Sequence, residues 1–241
     1  MNVPAKTITG ILLGIVLIVG LFAFKKLSTP YPLSPEEFRN ARYRDSSLSI
    51  EERVEDLLSF MSLEEKIGQM TLVEKNSLNS IDDVTTYAMG AVLSGAGGNP
   101  KENTPEGWQD MVADFVDASS ATRLGIPLLY GVDANHGNGN VPGATLFPHF
   151  IGIGAANDPD LAERIGVAAA KESRAMGIRW HYSPTFDLPK DIRWGRVYET
   201  FSDDPRRAGA LGSAYIRGLQ FTSEDNNHLN VLATAKHFAG L

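Results

Sequence analysis

The chain has 241 residues, of which 43% are hydrophobic, so it is long enough to bury at least one sizeable core. Its formal net charge of −7 argues against a nucleic-acid-binding protein, which would carry a clustered basic surface. It contains no cysteine, which excludes disulfides, thiolate metal sites and a cysteine nucleophile. The composition is compatible with neutral or polar small molecules as substrates.

The N-terminus carries an apolar segment that is nearly long enough for a membrane helix. Residues 8–24 contain no charged side chain and, as a helix at ~1.5 Å per residue, would span roughly 26 Å. Lys25 and Lys26 follow it, and no small-x-small cleavage pattern stands out. We therefore predict an uncleaved signal-anchor, a single transmembrane helix, in residues 1–26. A cleaved signal peptide and a buried core helix are the alternatives.

A spacer is predicted next, because residues 27–47 hold three prolines in a short polar stretch. More positive charge follows the apolar segment than precedes it. Taken literally, the positive-inside rule would keep the following domain in the cytoplasm, although long domains often translocate regardless of such counts. We expect a membrane-anchored protein whose main domain is extracytoplasmic, in the periplasm or at the cell surface.

The globular part is predicted to be residues 48–241 and to begin with two helices. Each helix starts with a capping box, a serine followed three residues later by a glutamate. The capping pairs are Ser49 with Glu52 and Ser62 with Glu65. Apolar residues follow at helical spacing, and Ile67 and Met70 are expected to face inward.

Apolar, strand-like runs then alternate with amphipathic helices. The four runs are 89–98, 127–137, 178–189 and 230–238. The three helices between them begin at Thr104-Pro105, Asp158-Pro159 and Asp204-Pro205, since proline is favoured in the first helical turn. Such repeats indicate a parallel sheet covered by helices, either doubly wound or a barrel.

The sequence favours the barrel, because it has neither the glycine fingerprint of a dinucleotide site nor a phosphate-binding loop. Barrel enzymes carry their functional groups at the carboxyl ends of the strands, and Asp133, Asp187, Lys236 and His237 gather there. A barrel needs eight strands, and this chain offers four. The predicted fold class is therefore α/β, the N-terminal half of a (β/α)8 TIM-like barrel, preceded by the transmembrane helix.

Asp133 follows a run that should be buried, so its carboxylate is expected at a mouth with limited solvent, where it must find donors. Substrate hydroxyls or the backbone of the loop 135–140 could supply them. His136 lies three residues further on, but Asp-x-x-His is a weak metal signal, and a structural histidine is the favoured alternative. We expect no metal and no cofactor.

Two arginines are further candidates. Arg174 lies one turn before the end of its helix, where favourable charge at a helix C-terminus would also explain it. Arg196 lies among aromatic residues, and its planar fork suits the binding of vicinal hydroxyls. An ion pair with Glu199 or Asp203 would use the same chemistry.

Lys236 and His237 are consecutive, so in a regular strand their side chains would point to opposite faces of the sheet. Both reach one ligand only if the backbone is irregular there. Otherwise, one of the two faces the pocket and the other packs under the helix layer.

Three stretches, in this order, resemble glycoside hydrolase family 3, in its β-glucosidase and exo-β-glucanase branch. They are LLYGVDANHGNGNVPGATLFPHFIGIGAANDPDL, KESRAMGIRWHYSPTFDLPKDIRWGRVYETFSDDP and AKHFAG. The resemblance implies a barrel domain with a pocket for the terminal glucosyl unit. The pocket residues that it implies are Asp133, Arg174, Arg196, Lys236 and His237.

Enzymes of this family retain anomeric configuration through two carboxyl groups, a nucleophile and an acid/base. The resemblance places both beyond Leu241, so no catalytic residue is expected within this chain. Ala239 after the Lys-His motif favours the glucosidase branch over the N-acetylglucosaminidase branch.

The resemblance therefore implies an O-glycosyl hydrolase, a retaining, exo-acting β-glucosidase that hydrolyses terminal non-reducing β-D-glucosyl residues of oligosaccharides or β-glucans. This activity is expected of a longer parent protein, with the present chain an inactive fragment. The expected partners are a β-glucoside oligosaccharide or polysaccharide substrate and the membrane, and no nucleic acid. The alternatives are a non-catalytic sugar-binding module and a structural membrane protein with a decayed half-barrel.

Overall fold

The computed structural model of the protein describes residues 35–95, 97–221 and 230–238. The chain divides into two compact units, Met1–Gly68 and Gln69–Leu241. The membrane segment predicted at 8–24 lies outside the described residues and stays a prediction. Within the described ranges, no helix combines the length and apolar character needed to cross a bilayer.

The described part of the first unit is helical. Its elements are α1 (Pro35–Asn40), a 3-10 turn (Arg42–Arg44), α2 (Ile50–Phe60) and α3 (Leu63–Gln69), whose last residue begins the second unit. The Tyr43 backbone ties the turn to α2, because its N–H donates to Asp56 at 2.9 Å and its carbonyl accepts from Arg53 at 2.8 Å. Part of the predicted spacer is thus a short helix and turn.

Both predicted capping boxes are present. The backbone N–H of Glu52 donates to Ser49 Oγ at 3.2 Å, and that of Ser49 donates to Glu52 Oε2 at 3.1 Å. At the second box, Glu65 N–H donates to Ser62 Oγ at 3.1 Å and Ser62 N–H to Glu65 Oε2 at 2.9 Å. Each box satisfies backbone donors that the first helical turn would otherwise leave free.

The expectation that Ile67 and Met70 face inward is wrong. Ile67 is 52% exposed and Met70 is 81% exposed. None of the residues of α2 is fully buried either. Helical spacing identifies the apolar side of a helix, but it does not supply a surface for that side to pack on.

The second unit is built on a parallel sheet. Its strands are β1 (Leu72–Glu74), β2 (Ala91–Ser94), β3 (Leu129–Val132) and β4 (Trp180–His181). They lie in chain order, and each pairs in parallel with the next. The predicted α/β class with a parallel sheet is confirmed.

The strand count differs from the prediction at both ends of the sheet. The strand β1 was not predicted, because three partly exposed residues give neither an alternating nor a continuous apolar pattern. The run 230–238 makes only two isolated parallel bridges, Trp180 with Leu232 and Thr185 with Lys236. It is therefore the fifth β segment of the sheet in chain order, whereas the sequence pattern predicted it as the fourth strand.

Five helices of this unit are described. They are α4 (Asp82–Thr86), α5 (Pro105–Ser120), α6 (Phe150–Ala156), α7 (Pro159–Ala175) and α8 (Pro205–Gln220). The three predicted proline starts are confirmed, each with a cap that accepts from a backbone N–H. Thr104 accepts from Gly107 at 3.0 Å, Asp158 from Leu161 at 3.1 Å and Asp204 from Arg206 at 2.8 Å. The short helices α4 and α6 were not predicted.

Two apolar clusters hold the helices. The first packs α5 against β2 and β3 and includes Trp108 and Tyr130, while the second joins α6, α7 and α8 around Phe150 and Tyr215. The contact between α7 and α8 is close, because a Cβ on Gly218 would lie 2.0 Å from the Glu163 carbonyl oxygen. Burial of the apolar helix faces in these two clusters holds the strands of the sheet in place.

The substitution Gly218→Ala is expected to lower the free energy of unfolding by about 1–3 kcal/mol, because the added methyl group meets the backbone of α7. Gly209→Ala in the same helix is the matched control, since a Cβ there has no atom within 4 Å. It should be neutral or stabilising by about 0.5–1 kcal/mol through helix propensity. Urea denaturation of the full chain measures both, and a shift of the two variants in the same direction would contradict this packing.

The strand β4 contains a fully buried histidine. His181 Nε2 lies 2.7 Å from Ser173 Oγ on α7, which joins the strand to its covering helix. Burial lowers the pKa of His181 from 6.5 to about 4, because a charged imidazole would lose its hydration. Between a pH of about 6.5 and about 4, His181 is therefore protonated in the unfolded chain but neutral in the folded chain.

This burial predicts acid sensitivity. The free energy of unfolding should fall by about 2 kcal/mol from His181 alone between pH of about 7.5 and 5, and further as the pH approaches the folded pKa. His181→Gln keeps a polar group for Ser173 but cannot titrate, so its stability should depend less on pH. Urea denaturation at several pH values compares the two slopes, and parallel slopes would contradict the assignment.

Candidate functional site

Polar side chains meet beyond the carboxyl ends of β3 and β4. Asp133 follows β3 directly, and Asp187 lies in the loop after β4. Lys236 lies at the last bridge of the sheet, beside Thr185, and its Nζ donates to Asp133 Oδ1 at 2.8 Å. Because parallel strands end at one edge, residues far apart in the chain meet here.

Lys236 and His237 serve two different carboxylates of this site. While Lys236 binds Asp133, the His237 ring nitrogen Nδ1 lies 2.7 Å from Asp187 Oδ2. The peptide bond between Lys236 and His237 is cis. The contacts of both side chains show that the two consecutive residues face one site.

The carboxylates differ in exposure. The side chain of Asp187 is 4% exposed and also accepts from the backbone N–H of His237 at 3.3 Å. The side chain of Asp133 is 49% exposed, although its partner Lys236 is only 10% exposed. The expectation of a mouth with limited solvent around Asp133 is therefore wrong, and its carboxylate is accessible to a ligand.

Arg196 lies between a carboxylate and the histidine. It binds Glu199 with two hydrogen bonds, Nε to Oε1 at 2.6 Å and Nη2 to Oε2 at 2.7 Å. Its Nη1 lies 3.3 Å from His237 Nε2. The hydrogen bond with Glu199 raises the pKa of Arg196, and the same bond holds the pKa of Glu199 below its ordinary value. Of the two ion pairs that the sequence left open, the one with Glu199 forms.

The structure does not bring Arg174 together with the other four residues that the resemblance implied. Arg174 lies in the last turn of α7, and its Nη1 donates to Asn230 Oδ1. Asn230 precedes Leu232, which bonds to Arg179 just before β4. A helix that follows a parallel strand runs back to the amino edge of the sheet. The last turn of α7, and Arg174 with it, therefore lies at that edge. We leave it out of the candidate site.

His136 has a structural role. Its Nδ1 lies 2.6 Å from the Phe147 carbonyl oxygen, and its ring packs on that of His149 with centroids 4.0 Å apart. Burial lowers the pKa of His136, and the nearby His149 adds to that shift. Over the ranges that the structure covers, no three metal-ligating side chains form a group.

Tyr182 is a neighbour of the site that sequence reasoning missed. Its hydroxyl fills the space of the absent side chain of Gly131, where a Cβ would lie 2.2 Å from the phenol oxygen. Burial raises the pKa of Tyr182, and the negative charge of Asp133 raises it further. Alternation along β3 puts position 131 on the same face as Asp133, which was the available signal.

The assembled site combines hydrogen-bond acceptors and donors of both charges. Its carboxylates are those of Asp133, Asp187 and Glu199, and its nitrogen groups are those of Arg196, Lys236 and His237. Each carboxylate already has a nitrogen partner, so none is placed as an unpaired nucleophile. Half-exposed Asp133 and the neighbouring cations suit a neutral ligand with several hydroxyl groups.

Comparison with known proteins gives a consistent result. The family model described as glycosyl hydrolase family 3 N terminal domain matches residues 62–241. A lysosomal beta glucosidase of Dictyostelium discoideum is 34% identical over 210 residues, covering 78% of this chain and 25% of that protein. A periplasmic beta-glucosidase/beta-xylosidase of Dickeya chrysanthemi is 28% identical over 238 residues, covering 90% of this chain and 35% of that protein.

The solved structures agree. The crystal structure of an exo-1,3/1,4-beta-glucanase from a Pseudoalteromonas species superposes with a TM-score of 0.72 at 38% identity, covering 81% of this chain and 25% of that one. The chain thus spans about a quarter to a third of the length of these relatives.

Glu199→Gln is expected to lower the free energy of unfolding by about 1–3 kcal/mol, because it removes the charge of the buried partner in a two-pronged, partly buried pair. Glu163→Gln is the matched control, since Glu163 makes an exposed pair with Arg217. Such surface pairs contribute about 0–1 kcal/mol. Urea denaturation compares the two variants, and equal effects would show that the Glu199 pair has no special weight.

Proposed function

The chain belongs to glycosyl hydrolase family 3, and from this membership we propose that it is part of a retaining, exo-acting β-glucosidase. The family match and the named relatives support glycoside hydrolysis of β-glycosides as the broader activity. The observation that carries the narrower proposal is the meeting of Asp133 with Lys236, and of Arg196 with His237, at the carboxyl edge of the sheet.

This geometry suits the terminal glucosyl unit of a β-glucoside. A sugar ring offers neutral hydroxyl groups that both donate and accept hydrogen bonds, so it needs acceptors and donors side by side. Asp133 supplies an accessible carboxylate, while Lys236 and Arg196 supply cationic donors beside it. Charge-assisted hydrogen bonds of this kind are about twice as strong as neutral ones and fix orientation.

In this proposal the chain contributes sugar binding, and the two catalytic carboxyl groups come from outside it. A retaining glycosidase holds a nucleophile and an acid/base about 5–5.5 Å apart on either side of the scissile bond. Asp187 is committed to His237 and Glu199 to Arg196, so neither is free for that work. The 241-residue chain by itself should bind sugar weakly and hydrolyse nothing.

The substrate is proposed to be a glucoside, with a xyloside as the second candidate, because relatives carry both names. Xylose lacks the hydroxymethyl group of glucose. An enzyme that prefers the glucoside must therefore gain binding energy from that group, which the ratio of the two kcat/KM values measures directly.

The test uses the longest protein that the coding sequence yields, assayed on aryl β-glucoside and aryl β-xyloside. Wild-type protein should hydrolyse the glucoside with retention of configuration. Lys236→Met, which removes a buried cation but keeps an unbranched apolar side chain close to the lysine stem in length, should lower kcat/KM by about 100-fold. Arg174→Gln is the control and should stay near wild type, because Arg174 lies at the opposite edge of the sheet.

The outcomes separate the alternatives. Binding of glucose without hydrolysis of any aryl β-glycoside would favour a non-catalytic sugar-binding module. A loss of activity in Arg174→Gln as large as in Lys236→Met would contradict the placement of the site. A preference for the xyloside would keep the family and correct the substrate.

A further inference from the structure

The hydrogen bonds around His237 define where its proton lies. An arginine guanidinium can only donate, so when Arg196 Nη1 bonds to His237 Nε2, that nitrogen must be the acceptor. A neutral imidazole has one acceptor and one donor nitrogen. The proton is then on Nδ1, which donates to Asp187 Oδ2 at 2.7 Å.

Both neighbours of the ring are themselves held in place. Asp187 is buried and also accepts from the His237 backbone N–H, with both of its oxygens 3.3 Å from that nitrogen. Arg196 is fixed by its two bonds to buried Glu199. The result is one continuous chain of contacts from Glu199 through Arg196 and His237 to Asp187.

We propose that Asp187 is a positioning residue that holds the proton of neutral His237 on Nδ1, so that Nε2 acts as a hydrogen-bond acceptor in the sugar pocket. This inference rests on the proposed function for its ligand, a sugar hydroxyl that donates to Nε2. The contact of Nε2 with Arg196 is long, at 3.3 Å, so a hydroxyl can replace it. Asp187 itself is buried behind the ring and acts on the sugar only through His237.

The decisive measurement is the ¹⁵N NMR spectrum of the histidine ring nitrogens in the ligand-free full chain, with His237 assigned by His237→Gln. The shifts of the two nitrogens show which one carries the proton. Wild-type protein should carry it on Nδ1. In Asp187→Asn the side-chain amide can donate to Nδ1, which moves the proton to Nε2 and opposes it to Arg196.

Kinetics on the active protein complete the test. Asp187→Asn should raise KM for the aryl β-glucoside by about 10-fold at neutral pH with a smaller change in kcat, because the lost contact is a binding contact. Asp191→Asn is the matched control, since exposed Asp191 pairs with Arg193 outside this chain of contacts, and it should match wild type.

A wild-type proton on Nε2 would overturn the inference even if the protein hydrolyses β-glucosides. An unchanged KM in Asp187→Asn would also overturn it. A proton on Nδ1 that moves in Asp187→Asn would support it even if no β-glycoside is hydrolysed, and in that case only the proposed function fails. The wild-type spectrum needs no variant, so the tautomer can be tested even if Asp187→Asn folds poorly.

Discussion

Parallel pairing of the strands determines which loops of the second unit meet at the candidate site. Strands that run in the same direction end at one edge, so loops from distant parts of the chain meet there. Asp133 and Lys236 are 103 residues apart in sequence, yet their side chains form one ion pair. The helices contribute indirectly: their apolar faces bury the sheet and hold its ends in register.

Charge compensation shapes the site as much as topology does. Buried carboxylates need donors, and the chain provides a nitrogen partner for each of the three acids of the site. The pairing leaves the most exposed acid, Asp133, next to the largely buried cation of Lys236. An incoming ligand therefore meets an acceptor whose charge is already balanced, which lowers the cost of removing water from it.

Much of this fold could be predicted from local signals. The capping serines and the three proline starts marked helix ends correctly, because those residues satisfy backbone donors or restrict φ in any context. The exposed side chains Ile67 and Met70 could not be predicted, because exposure depends on what packs against a helix. The strand β1 is too short to show a periodic pattern. The pairing of Asp187 with His237 depends on contacts between distant segments.

Arg174 is a different case, since the sequence contained enough information to place it. The predicted parallel sheet implies that the helix carrying Arg174 runs back toward the amino edge, away from the site. The resemblance alone assigned this arginine to the pocket, and the topology corrects it. Arg196 follows a strand on the carboxyl side, where the same rule puts it beside His237.

The contact between Gly131 and Tyr182 limits which side chains can occur together at the two positions. Since the phenol oxygen occupies the space of a Cβ, even alanine at 131 would displace the tyrosine ring. A smaller side chain at 182 would in turn leave empty the space beside Gly131 that the phenol now fills. Any side chain larger than glycine at 131 therefore requires a smaller or displaced side chain at 182.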